Sequence, residues 1–284
     1  MKTYLKQCKW GQFLLIQGDM ISNFVDVFGE WSEMELAMFR DLLKEDSNVL
    51  EVGSNIGMHT VALSRMVPKG RVIAFEPQRV IHQVLSANCA LNQCTNVFAE
   101  HFAVGNHTGE VDIPVCNYTE DWNYGSYSIV EGYSAEGSFQ GDQWREKVRI
   151  TRLDDHMRIR DLDAIRLMKI DVEGLECEVL EGAKETIQKH RPFLFIENNN
   201  QEYGDQLIAK IANLGYKSYW YCTERFHAKN FNGQETKFEG GDFNMLCFPA
   251  EMGINPGRLM EAKEFSDLLD GKVSYITRDV YPAI

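Results

Sequence analysis

Apolar residues along the chain fall into two patterns that alternate: short continuous runs, and stripes at helical spacing. The runs Asn48–Val52, Arg71–Phe75, Asn96–Val104, Ile165–Ile170 and Pro192–Ile196 predict buried strands, and Tyr216–Cys222 and Phe243–Phe248 complete a set for one sheet. Between them Met58–Met66, Val80–Leu91, Gly174–Gln188 and Tyr203–Asn213 carry apolar residues on one helical face. Strands alternating with helices predict an α/β fold with a doubly wound, mostly parallel, seven-stranded sheet. The last strand, reached without a helix, is predicted antiparallel.

The flanks are less regular. Phe13–Ile16 predicts a strand, and Val27–Trp31 an aromatic-glycine turn. Ser32–Leu43 predicts a helix with Ser32 as N-cap and Glu35 closing a capping box. After the third core strand, Gly109–Val115 and Arg145–Thr151 alternate apolar and polar residues, which predicts a β-insertion with Cys116–Gln143 at its tip. The tail from Glu251 predicts one amphipathic helix bearing Leu259, Ala262, Phe265, Leu268 and Leu269. The expected division is an N-terminal extension over 1–46, a main domain over 47–249 with its insertion at about 109–151, and a helical tail over 250–284.

The most informative stretch is Asn48–Pro77. A strand ends at Gly53, the turn Gly53-Ser54-Asn55-Ile56-Gly57 comes next, a helix starts at Met58, and the next strand closes on Glu76-Pro77. A glycine turn between strand and helix lets backbone approach a ligand, and an acidic residue about twenty positions on accepts from ribose hydroxyls. A dinucleotide fingerprint needs glycines where this chain has Asn55 and Met58, and Glu51 is a poor neighbour for a pyrophosphate. Glu51 suits an amino-acid ammonium instead. The pattern therefore points to a nucleoside cofactor without phosphate, against the alternative of an NAD-dependent oxidoreductase.

Composition narrows this further. Apolar content of 44% and charge of 25% belong to a globular protein, and a net charge of −13 argues against a nucleic-acid partner. No apolar run is long enough to span a membrane, and the first residues lack the apolar core of a signal peptide. The seven cysteines form no C-x-x-C pair and sit mostly in apolar contexts, which predicts free thiols and a cytoplasmic location.

Leu50-Glu51-Val52-Gly53-Ser54-Asn55-Ile56-Gly57-Met58-His59-Thr60, Phe75-Glu76-Pro77, Leu153-Asp154-Asp155 and Lys169-Ile170-Asp171-Val172-Glu173-Gly174 together resemble the FkbM-type family of S-adenosylmethionine-dependent methyltransferases. The resemblance implies a Rossmann-like class I methyltransferase fold, S-adenosyl-L-methionine as cofactor, and O-methylation of a hydroxyl on a sugar, glycan or natural product. A protein of the same fold without transfer activity is the alternative. The implied cofactor contacts are Glu51, Gly53, Ser54, Asn55, Ile56, Gly57, His59, Thr60, Glu76, Pro77, Ala103 and Asp171. Asn123, Tyr124, Gly125, Ser126 and Glu197 are candidate acceptor contacts; Asn123-x-Gly125-Ser126-x-Ser128 resembles the family's polar loop beneath the acceptor, with turn chemistry as the favoured alternative. Aromatic residues around that loop, Trp122, Tyr124, Tyr127 and Tyr133 beside Glu120 and Asp121, suit a sugar ring or polyketide.

Transfer to an alcohol needs a base, for which Asp171 and Glu173 are candidates. Each has a plain alternative: Asp171 as cap of the following helix, Glu173 as partner of its dipole. Asp171, Glu197 and Asn198 at neighbouring strand ends have the donor atoms for Mg²⁺, but such carboxylates are common without an ion, and no metal is expected. The acceptor's identity and the oligomeric state are left open.

Overall fold

A computed structural model describes residues 1–119, 121–126, 128, 144–225, 227–236 and 240–276. Tyr127, Tyr133 and Glu120, expected near the acceptor, lie outside the described residues. The chain opens with a hairpin of β1 (Thr3–Cys8) and β2 (Gly11–Ile16), then α1 (Met20–Phe28) and α2 (Glu33–Leu42). Next come the units β3 (Val49–Val52)–α3 (Met58–Met66)–β4 (Val72–Phe75) and α4 (Arg79–Leu91)–β5 (Val97–Glu100). The strand expected over Asn96–Val104 is broken after β5: β6 (Ala103–Val104) leaves the main sheet to pair with β8 (Arg145–Thr151). Strands β7 (Gly109–Pro114) and β8 are the two expected of the insertion, succeeded by α5 (Met157–Arg160). The second half runs β9 (Leu167–Ile170), α6 (Glu176–Glu181), α7 (Lys184–His190), β10 (Phe193–Glu197), α8 (Gly204–Asn213), β11 (Tyr216–Glu224), β12 (Gly241–Pro249) and α9 (Ser266–Leu269).

Seven strands form one sheet in the order β11-β12-β10-β9-β3-β4-β5. The inner neighbours are parallel, and β12 runs antiparallel to both β10 and β11, as the sequence pattern predicts. The insertion is a separate sheet ordered β6-β8-β7. Strands β3, β4 and β9 are buried at every residue because helices cover both faces, which is why they read as continuous apolar runs. Leu50, Val52, Met168 and Ile170 pack with Val179, Leu180, Ile187, Leu207 and Ile211 of α6–α8. Val49, Leu167, Phe193 and Phe195 pack on the other face with Leu36 and Phe39 of α2 and Ala62 and Leu63 of α3. Strand alternation puts Glu51, Lys169 and Glu197 on that second face, at its carboxyl edge.

Several expectations need correction. Residues 20–28 are helical: Ile21, Phe24, Val25 and Phe28 form the buried stripe, Asp19 accepts from Ser22 N at 2.8 Å, and Gly29 ends the helix at φ 72°. The aromatic-glycine turn is confined to residues 29–32, between α1 and α2. Ser32 is no side-chain cap, because it sits at φ 43° and its hydroxyl donates to Asp242 at 3.1 Å. The expected single helix over Gly174–Gln188 is two. Asp154, from the Leu153-Asp154-Asp155 motif, accepts from Thr186 N at 2.8 Å and Glu185 N at 3.2 Å, and so caps a second start at α7. Among the described residues of the tail, α-helix is confined to Ser266–Leu269, after a single 3-10 turn at Ala250–Met252. Trp220 N donates to Met260 O and Ala262 N to Ser218 O, each at 2.8 Å, so the tail satisfies the open edge of β11 instead.

Candidate active site

The turn after β3 is fixed by its own backbone. Gly53 N and Ser54 N both donate to Phe75 O at 3.0 Å, tying the end of β3 to the end of β4. Gly53 sits at φ +85°, and a Cβ there would lie 1.8 Å from Asp171 O. Only glycine allows the ends of β3 and β9 to approach so closely. Asn55 also adopts the left-handed region, at φ 47°, with its Oδ1 accepting from Ile56 N at 2.6 Å. An asparagine thus does what a second glycine would do, at little steric cost. Its N–H donates to Glu76 Oε2 at 3.0 Å, and Gln78 N donates to Glu76 Oε1 at 2.8 Å.

Two connected cavities flank this turn. A slot of about 50 Å³ is lined by Phe75, Pro77, Phe102, Ala103, Val104 and Leu175. A more polar cavity of about 110 Å³ is lined by Glu51, Ser54, Asn55, Ile56, His59 and Lys169. Gly53, Glu76, Gly125, Asp171 and Glu173 line both. Thr60, behind the wall, donates to Glu51 Oε2 at 2.6 Å. Gly57 does not line either cavity; at φ 89° it starts α3, with its side packed against Leu85.

Lys169 is the electrostatic centre. Its ammonium is buried and lies 2.8 Å from Asp171 Oδ2. Burial disfavours its charge, but Asp171, Glu51 and Glu35 outweigh burial and hold its pKa above that of a free lysine. Burial pushes both Glu51 and Glu76 up to about 7. Burial also raises Glu35 well above the carboxylate range, while it holds His59 well below the usual histidine value. His59 Nε2 is 3.9 Å from Glu35 Oε2.

Asp171 is not the cap of the next helix. Helix α6 starts only at Glu176, whose Oε1 accepts from Val172 N at 3.1 Å and Gly174 N at 3.3 Å. Asp171, Glu173 and Glu197 bring carboxylate oxygens within 4.8 Å of one another. Asn198 does not join them: its amide donates to Gly204 O at 3.4 Å and to Met245 Sδ at 3.5 Å.

The loop expected to touch the acceptor divides. Asn123 and Gly125 line the polar cavity. Tyr124 is 1% exposed and packs among Phe13, Leu15, Ile21 and Val25, while Ser126 is buried and donates to Asn123 O at 3.1 Å. Neither Tyr124 nor Ser126 lines the slot or the polar cavity. Trp122 N and O are bonded to Gly18 and Met20, which straps this loop to the N-terminal extension.

Glu35, Lys169, Arg225, Asp242 and Asn244 also line the polar cavity and were not expected there. Asn244 donates to Glu35 at 2.9 Å, and Arg225 donates to Asp242 at 2.8 Å. A lysine inside a buried parallel strand carries a signal in the sequence. The others arrive from remote elements and carry none.

A sequence profile described as the methyltransferase FkbM domain matches residues 51–218, more than half of the chain. The chain belongs to that family, whose cofactor is S-adenosylmethionine. Methyltransferase sdnD of Sordaria araneosa is 30% identical over 196 residues, covering 60% of this chain and 76% of that protein. The 2-O-methyltransferase NoeI of Sinorhizobium fredii is 29% identical over 173 residues, covering 58% and 69%. Methyltransferase 1 of Beauveria bassiana is 26% identical over 147 residues, covering 49% of this chain but only 59% of its own length. Among the described residues no helix is long and apolar enough to cross a membrane.

Proposed function

We propose that the protein transfers a methyl group from S-adenosylmethionine to a hydroxyl of a small-molecule or glycan acceptor. The observation that carries this reading is Glu76: its carboxylate is held by two backbone amides at the junction of an apolar slot and a polar cavity. An adenosine joined to an amino acid, with no phosphate, has that same succession of apolar, hydroxyl and charged parts. When bound, the cofactor supplies an electrophilic methyl group on a sulfonium.

The chain's own groups divide the remaining work. The slot between Phe75 and Phe102 takes the adenine, Glu76 accepts from the ribose hydroxyls, and Glu51 faces the ammonium end. Ser54, Asn55, Ile56 and Gly57 shape the turn beneath it. Asp171 takes the proton that the acceptor hydroxyl gives up on methylation. Lys169 orients Asp171 and supplies the positive charge at the carboxylates, so transfer is expected to survive excess chelator. Transfer to oxygen rather than another atom is supported by the name of one relative, a 2-O-methyltransferase.

The domain division at about residues 46 and 249 is part of the same proposal, with the extension, through Glu35, closing the site. The test is mass spectrometry of hydroxylated acceptors incubated with the protein and S-adenosylmethionine. A product heavier by one methyl, formed by the wild type and lost in Asp171→Asn with S-adenosylhomocysteine affinity retained, supports it. Full turnover by Asp171→Asn removes Asp171 as the base.

A further inference from the structure

A third cavity, of about 370 Å³, lies beside the end of β10, between the turn that precedes α6 and the start of α8. It is larger than either cavity at the glycine turn and falls in the size range of small-molecule sites. Glu197 lines both this cavity and the polar one, so the two adjoin at that residue. Glu197 Oε2 is buried and has no hydrogen-bond partner among the described residues. A buried oxygen without a donor costs free energy, and a ligand that donates to it recovers the loss.

The chemistry of the wall is one-sided. Glu176, Glu178, Glu197 and Glu202 line it together with amide side chains, and among the described residues no Lys, Arg or His does. Lys210 of α8 donates to Cys177 O at 3.2 Å, but it is paired with Glu181 and does not line the cavity. Tyr203 contributes a ring that is 46% exposed. An aromatic face among carboxylates and amides receives the apolar face of a ring and its N–H and O–H donors. The same wall repels a carboxylate or phosphate group, having no cation to meet it.

We propose that this cavity holds the body of the methyl acceptor, and that the acceptor is a hydroxylated compound bearing a positively charged amino group, of the amino-sugar or aminocyclitol class. The proposal rests on the methyl-transfer reading and names its substrate class. The acceptor's ammonium sits between Glu178 and Glu202, and its reactive hydroxyl points past Glu197 towards Asp171.

The test uses the full chain saturated with S-adenosylhomocysteine and three probes of similar size: glucosamine, glucose and glucuronate, each titrated by saturation-transfer NMR. Glucosamine should bind most tightly and glucuronate least. The double variant Glu178→Gln, Glu202→Gln should weaken glucosamine about threefold to tenfold while leaving glucose and S-adenosylhomocysteine unchanged. Added salt should weaken glucosamine alone. Absence of glucosamine binding, glucuronate binding as well as glucosamine, or a double variant that retains full glucosamine affinity overturns the proposal while the methyl-transfer reading stands. Failure of the wild type to take up S-adenosylhomocysteine overturns the reading itself, and the proposal with it.

Discussion

The two sides of the site are built differently. On the side proposed for the cofactor, residues 51–60 and 75–78 supply the turn, the carboxylates and their hydrogen bonds from one contiguous strand–turn–helix–strand unit. On the opposite side, Glu35 comes from α2, Asn123 from the strapped loop, Arg225 from β11's end and Asn244 from β12. The first side is held by backbone geometry and tolerates little change. The second is a meeting of side chains from distant parts of the chain, joined at Lys169. In the proposed function, that contrast separates the side assigned to the common cofactor from the side assigned to a particular acceptor.

The sharpest way to break the comparison is to remove its junction. Lys169→Met leaves Asp171, Glu51 and Glu35 without their buried cation, and should cost roughly 3–5 kcal/mol of stability in urea unfolding. A loss under about 1 kcal/mol would mean that the two sides are not electrostatically joined. The loop supplies the next test. Tyr124→Ala should also destabilise, by about 3 kcal/mol or more, because the ring is buried among Phe13, Leu15 and Val25. Asn123→Ala, on the cavity wall, removes the side-chain oxygen that accepts from Gly125 N, so it should cost only about 1 kcal/mol while lowering turnover. Equal effects on stability would erase the division of that loop.

A smaller effect comes from the raised carboxyls. Glu51 and Glu76 titrate near 7 in the folded chain and in the ordinary glutamate range when unfolded. Between those values the unfolded state binds fewer protons, so each group's contribution to stability falls as pH rises from about 4.5 to about 7. Glu51→Gln should flatten the decline in melting temperature of the ligand-free protein over that window. An unaltered slope would show that Glu51 is ionised at ordinary carboxylate pH.

Legibility in the sequence divides along the same line. Continuous apolar runs disclosed the parallel strands because helices bury both faces, and the glycine turn was legible because its geometry is local, with cavities on either side of it. Asp171 was legible as a strand-end carboxylate and does line both cavities, but its cap role was not excluded: Glu176, two residues past Gly174, proves to hold those amides. The helix over Met20–Phe28 had a stripe, an N-cap at Asp19 and a stop at Gly29, so its signal was present. The tail's stripe misled, because the unpaired edge of β11 outweighed helical spacing. Glu35 and Asn244 could not be read at all, since only the folded sheet brings them together.

The measurement that bears most directly on the cofactor side is isothermal titration of S-adenosylhomocysteine into the wild type and into Glu76→Ala. The wild type should bind one equivalent. Charge-assisted bonds from ribose hydroxyls contribute roughly 1.5–3 kcal/mol, so Glu76→Ala should bind at least about tenfold more weakly, with its fold retained by circular dichroism. No binding by the wild type, or equal affinity in the two proteins, would contradict the assignment of this turn to the methyl donor.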